Sequence, residues 1–191
     1  MKRNNFFAKA ASKALALAAT VMMSAAFTAC SNSNDEPTPE PLPKPTGTGT
    51  VTLDDAEKPI LMAEYTDKAD GNYILYFYLS DDHKEKVIMQ LNKDLHMSGS
   101  PVVLTKREKK HEGGKLYWVA DYHNPNNSLF TNTTGDPDSN SDLYLTGTLT
   151  VTGDPKSGKV SIKLENGRVK DNNREERTLT VRYSGTMTKV E

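Results

Sequence analysis

Oxygen-bearing side chains stand at every second position of Asp136-Pro137-Asp138-Ser139-Asn140-Ser141-Asp142. Asp136, Asp138, Asn140 and Asp142 thus have the spacing by which a loop wraps carboxylates and amides around calcium, the one cofactor this residue pattern suggests. Against a calcium loop, the sixth position is Ser141 where such loops need glycine, the twelfth is Gly147 where they need glutamate, and Pro137 stiffens the start. A solvated connection between strands has the same composition, because Asp, Asn and Ser tolerate turn geometry. Asp121 and His123 lie two apart, so a strand reaching residue 123 puts both on one face, and a carboxylate beside an imidazole is half of a catalytic or metal-supporting pair. The other half is missing from the sequence. Neither a G-x-S-x-G serine elbow nor an H-E-x-x-H pair occurs, and His123 runs into the turn signal Asn124-Pro125. His83, His96 and His111 also fall in or beside expected turns.

Aromatic residues offer a different chemistry. Tyr76 and Tyr78 share one face of a strand, as do Trp118 and Tyr122, and either pair is a platform on which a sugar ring can stack. Aromatics are also the ordinary core filling of β-proteins, each burying about 150–250 Å². If any of the four is exposed, the sequence favours Trp118 and Tyr122, because they lead into the longest unpatterned stretch, residues 123 to 141. Lys106-Arg107-Glu108-Lys109-Lys110-His111 before Gly113-Gly114 reads as a basic hairpin tip, able to meet lipid phosphates or an acidic glycan, or simply to keep an exposed hairpin soluble and unpaired.

The single thiol, Cys30, has a defined setting. Lys2, Arg3, Lys9 and Lys13 precede an apolar run, Ala14 to Ala29, too short for the roughly 20 residues of a membrane-spanning helix, which is the pattern of an export signal over residues 1–29. Phe27-Thr28-Ala29-Cys30 closes it and resembles the lipobox of bacterial lipoproteins: a bulky apolar residue, two small ones, then the cysteine. The resemblance implies that Cys30 takes a diacylglyceryl thioether and a further acyl chain such as palmitate, and becomes the first residue of the mature chain. At about 0.8 kcal/mol per buried CH₂, several acyl chains make an anchor that does not let go. Phe27 departs from the aliphatic residue usual there, and ordinary cleavage after Ala26, guided by Ser24 and Ala26, is the competing reading. Ser31-Asn32-Ser33-Asn34-Asp35-Glu36 is similar to the acidic tract that directs many Bacteroidetes lipoproteins to the outer face. Its acids come a few positions late, so a periplasm-facing pose is the alternative to surface display.

Removing residues 1–29 takes away four basic residues and no acids, which leaves a formal charge of −5 and makes nucleic acid a poor partner. With Cys30 acylated no thiol remains for disulfides, thiolate zinc sites or nucleophilic catalysis. Proline at every second position from Pro37 to Pro45 specifies an extended polyproline II spacer, so residues 30–50 read as lipidated N-terminus and tether, with Thr46 to Thr50 as a soft junction. Residues 51–191 then form one domain.

That domain reads as all-β and antiparallel. Leu143, Leu145, Gly147, Leu149 and Val151 alternate with Tyr144, Thr146, Thr148 and Thr150, and Val160, Ile162 and Leu164 alternate with lysines and serine, with GDPKSG between as a hairpin turn. Leu179, Val181, Tyr183, Gly185 and Met187 repeat the pattern. Further strands are expected over residues 60–66, 72–79, 86–92, 101–107 and 115–122, with turns at Asp70-Gly71-Asn72, Asp81-Asp82, Asn92-Lys93-Asp94 and Gly113-Gly114, and one helical turn at residues 54–58. Tyr73 to Leu79 is apolar on both faces, which predicts a central strand covered on both sides. About eight strands in a β-sandwich fit best, a closed lipocalin-like up-and-down barrel being the alternative.

Taken in order, NYILYFYLS, SPVVLTK, KLYWVADY, LYLTGTLTVTG with KVSIKLENGRV, and TLTVRYSGTM over residues 60–188 resemble a group of small Bacteroides-type surface lipoproteins, β-rich and uncharacterised. The match is most specific at Thr146–Val151, Leu164–Val169 and Leu179–Thr186. It implies fold and habitat and brings no catalytic residues. The sequence therefore leads to a non-catalytic, lipid-anchored β-domain at the outer membrane, for binding a glycan or other nutrient ligand or for envelope structure. A glycosidase-type surface hydrolase, or an accessory subunit of an outer-membrane complex or fimbria, is the alternative.

Overall fold

Period-two alternation becomes strand almost everywhere in the computed structural model, which describes residues 47–190; the expected leader, Cys30 and the proline spacer lie outside them. In chain order the described residues give β1 (Gly47–Leu53), β2 (Ala56–Pro59), β3 (Met62–Asp67), β4 (Asn72–Tyr78), β5 (Lys86–Asn92), a helical turn α1 (Lys93–His96), β6 (Val102–Val103), β7 (Val119–His123), β8 (Thr146–Gly153), β9 (Lys159–Lys170), β10 (Glu176–Thr186) and β11 (Thr188–Lys189). One sheet has the order β2-β1-β10-β9-β8-β6 and the other β11-β3-β4-β5-β7. All neighbours are antiparallel except β11, which runs parallel to β3. The two sheets pack as a β-sandwich and neither closes into a barrel.

Between them lies a single core. Leu75 and Phe77 on β4, Val87, Met89 and Leu91 on β5 and Ala120 on β7 face Leu149, Val151, Ile162, Leu164, Leu179 and Val181 of the larger sheet, all essentially without solvent contact. Each large side chain so buried contributes about 1.5–3 kcal/mol. The β8–β9 hairpin forms as its sequence predicts: Gly153 (φ 91°) opens the turn, and the Asp154 carboxylate accepts the Lys156 N–H at 3.0 Å. At the β9–β10 turn the Asp171 carboxylate holds the N–H groups of Asn173 and Glu175 at 2.8 and 2.9 Å.

Several expectations are corrected. The described residues contain eleven strands, and β1 begins at Gly47, inside the segment expected as a soft junction, because Gly47 to Leu53 pairs in register with Gly185 to Leu179. Residues 54–58 make no helix; Asp54 and Asp55 adopt positive φ (47° and 65°) in a tight turn that folds β1 back into β2. The one helical turn instead follows Asn92, whose side chain caps Asp94 N–H. Residues 101–107 and 115–122 form no hairpin, since β6 joins β8 in the larger sheet while β7 joins β5 in the smaller. The chain therefore crosses between sheets through residues 93–101, 104–118 and again 124–145, and these connections close one edge of the sandwich. Alternation slips at the start of β8, where β9 carries one extra residue opposite Thr146 to Thr148 and Gly147 takes φ 142°, so Tyr144 is buried and Leu145 is exposed, the reverse of the simple pattern. Finally, β4 is indeed central in its sheet, yet only Tyr73, Leu75 and Phe77 enter the core, while Ile74, Tyr76 and Tyr78 stay partly exposed on the outer face.

Candidate functional site

That outer face is the surface on which β4 presents aromatic rings. Register places Glu64 and Ile88 on either side of Tyr76, and Met62 and Lys86 on either side of Tyr78. The two tyrosine rings lie nearly parallel, 9° apart, with centroids separated by 6.2 Å. Tyr78 packs on His83 at 4.5 Å, and the Lys86 ammonium sits 5.9 Å from its ring centre. Lys86 Nζ also donates to Asn127 Oδ1 at 2.8 Å and to the His83 carbonyl at 3.1 Å, which fixes its head at the rim. Burial first, and the Glu64 carboxylate second, push the Tyr78 hydroxyl up to about 12, so it remains a neutral donor. The arrangement leaves partly exposed phenol rings, Tyr78 already backed by His83 and Lys86, for contact with the C–H side of a sugar, with an acid, an amide and an ammonium around them.

The other aromatic pair lies elsewhere. Trp118 and Tyr122 point inward with Ala120 and are buried, at 0% and 4% exposure, where the long connections seal the edge of the sandwich. Trp118 meets Tyr144 edge-on at 6.4 Å, and the Tyr122 hydroxyl donates to buried Glu85, which also accepts from Lys58 Nζ at 2.6 Å. The sequence preference for these two as the exposed aromatics is therefore corrected: Tyr76 and Tyr78 face solvent, and Trp118 and Tyr122 are core.

Asp121 and His123 do share the outer face of β7. Asp121 is roofed by the connection after β7, taking the Thr133 N–H at 2.7 Å and the Thr133 hydroxyl at 2.9 Å. Desolvation outweighs these donors and raises its carboxyl to about 7. His123 is pushed down by burial and by Lys86, and its Nδ1 has no hydrogen-bond partner. The hydrogen bonds of the carboxylate go to threonines, so the residues form no acid–imidazole pair.

A second histidine group, unforeseen in the sequence, gathers where the loops meet. His96 Nδ1 accepts the Asn92 N–H at 2.8 Å, so its Nε2 carries the proton and donates to Glu108 Oε1 at 2.6 Å. Both nitrogens of His96 are thereby engaged. His111 stacks on Tyr117 at 4.2 Å and brings Nε2 to 3.5 Å from Glu108 Oε2. Backbone bonds from Glu108 N–H to Gly135 and from Gly135 N–H to Trp118 tie this group to the next loop.

The oxygen-rich segment does not converge on a cation. Asp136 caps the Asp138 N–H at 2.9 Å, Asp138 pairs with Lys110 at 2.8 Å, and Asp142 pairs with Arg174 at 2.7 Å, each carboxylate facing a different neighbour. Among the described residues no three of His, Asp and Glu come together to hold a metal ion, which corrects the calcium candidate at Asp136, Asp138, Asn140 and Asp142. The basic run is likewise spread out: Arg107 turns in to the carbonyls of Thr134 and Ser141, and Lys110 goes to Asp138. Glu64, Lys86 and Asn127 escaped sequence reasoning because only strand register and a loop return bring them beside the tyrosines. Neither a protein-family model, a curated protein nor a solved structure matches this chain significantly.

Proposed function

We propose that the mature chain is a non-catalytic binding domain, lipid-anchored through Cys30 at the outer membrane and displayed on the cell surface, that captures a glycan or similar nutrient ligand on the outer face of β3–β4–β5. The parallel, partly exposed pair Tyr76 and Tyr78 carries this reading. Two adjacent aromatic rings left partly exposed on a central strand form the kind of patch that marks a binding surface. Basic leader, apolar run, the lipobox-like Phe27-Thr28-Ala29-Cys30 and the proline spacer support the anchor and its reach.

Two measurements test it. On an array of neutral polysaccharides the mature chain is expected to bind at least one, with Tyr76→Ala weakening that binding tenfold or more at unchanged melting temperature; retained affinity in the variant overturns the assignment. In cells fed a clickable fatty acid, the wild-type chain takes label and Cys30→Ala does not; label on the variant rejects the anchor.

A further inference from the structure

The larger sheet presents a face of different chemistry, where register sets hydroxyls and cations in rows. Thr48, Ser184, Ser161 and Thr152 stand side by side across β1, β10, β9 and β8, and the adjoining row is Thr50, Arg182, Lys163 and Thr150. All alternate with core residues such as Val51, Val181, Ile162 and Val151, so they point outward. Arg182 and Lys163 are thus direct cross-strand partners, and like charges in that relation work against pairing. They share one carboxylate: Glu165 lies 2.8 Å from Lys163 Nζ and 3.4 Å from Arg182. Solvent still reaches 48% of the Lys163 side chain and 64% of that of Arg182. A shallow groove of about 370 Å³ runs past them, lined by Thr48, Thr50, Ser161 and Ser184 as well.

Two opposed cations with a single acid leave one positive charge unmatched beside a row of four hydroxyls. We propose that this groove binds an acidic glycan, Lys163 and Arg182 taking a sugar carboxylate or sulfate and Thr48, Ser161 and Ser184 hydrogen-bonding the sugar hydroxyls. The combination of charge-assisted donors with neutral hydroxyls suits an anionic sugar. A lipid surface suits it less, because the large exposed apolar side chains Leu61, Leu95, Val103 and Leu145 all lie outside the groove. The site is separate from the tyrosine platform, which belongs to the other sheet.

Isothermal titration of the mature chain with dextran sulfate, polygalacturonate and neutral dextran at low salt tests the proposal, alongside co-sedimentation with phosphatidylglycerol vesicles. Binding is expected for at least one anionic polymer and not for dextran. Lys163→Thr combined with Arg182→Thr weakens it at least tenfold while the melting temperature holds or rises, since the opposed charges are gone; Lys163→Arg retains it. Removing two exposed lysines elsewhere, Lys68→Thr with Lys109→Thr, leaves binding intact, as does Tyr76→Ala. Absence of binding to both anionic polymers, an equal loss in the two charge-matched double variants, or capture by vesicles with no polymer binding overturns the proposal.

Discussion

Asp121 shows how a buried acid sets the pH response of this fold. Its carboxyl titrates at about 7 in the folded chain, against 3.8 for an ordinary aspartate, because desolvation exceeds what the Thr133 donors return. The folded state therefore binds this proton more tightly than the unfolded state. Stability from this group is greatest below pH 4, falls as pH rises from about 4 to about 7, and is level above that, the whole difference amounting to on the order of 4 kcal/mol. Asp121→Asn keeps an oxygen to accept from Thr133 and removes the charge. Thermal unfolding should show the variant gaining on wild type steadily between pH 4 and 7, then by a constant margin up to pH 9. A margin independent of pH across that range contradicts the assignment. His123 is pushed down by burial and by Lys86, and neither shift comes from the other residue, so these neighbours do not act as a pair.

At the scale of elements, the sandwich is closed on one side by loops and not by strands, and Arg107 supplies a charged side-chain tie between them. Its guanidinium donates to the Thr134 carbonyl at 2.6 Å and to the Ser141 carbonyl, a charged fork added to the Glu108–Gly135 and Gly135–Trp118 backbone bonds and the Lys110–Asp138 pair that also hold the connection 104–118 to the connection 124–145. Arg107→Ala is expected to cost about 1.5–3 kcal/mol, the range for hydrogen bonds to a charged group, here with partly buried acceptors. Hydrogen exchange should then rise across residues 104–118 and 130–145 while β4, β5, β9 and β10 keep their protection; loss of protection in the sheets as well would place Arg107 in a different role. These loops also mark where sequence reasoning stops. The period-two strands β4, β5, β8, β9 and β10 were legible because a half-buried strand must alternate, and the β8–β9 hairpin because its turn residues demand it. Residues 104–118 carry apolar residues, Leu104 and Trp118, that serve the core from irregular backbone, so apolar content alone imitated a hairpin. That Tyr76 and Tyr78 share one face was legible from their alternation with Leu75 and Phe77. Which aromatic pair faced out was not, because that depends on what covers the edge strand β7, a matter of tertiary path.

For the whole molecule, the first described strand and the last long one are partners. β1 sits between β2 and β10, inside the larger sheet, and its seven residues pair in unbroken register from Gly47–Gly185 to Leu53–Leu179. This ladder spans most of the domain's sequence, so its formation closes the longest loop in the fold and must come at high entropic cost. β1 also brings Val51 into the core and leaves β2 no other strand to pair with. A chain that keeps the larger sheet whole must therefore include Gly47 and not begin after the threonine-glycine segment at residue 50. A chain beginning at Thr46 is expected to melt within about 2 °C of one beginning at Cys30, since every described contact is kept. A chain beginning at Asp55 loses Val51 burial, worth about 1.5–3 kcal/mol, together with a full ladder, and it bares β10 as a new edge open to other chains. That loss is a large share of the 5–15 kcal/mol that typically separates folded from unfolded domains. It should appear as no cooperative transition by circular dichroism, or as aggregation by light scattering. A cooperative, monomeric transition in the Asp55 chain would show that the sandwich is held without β1.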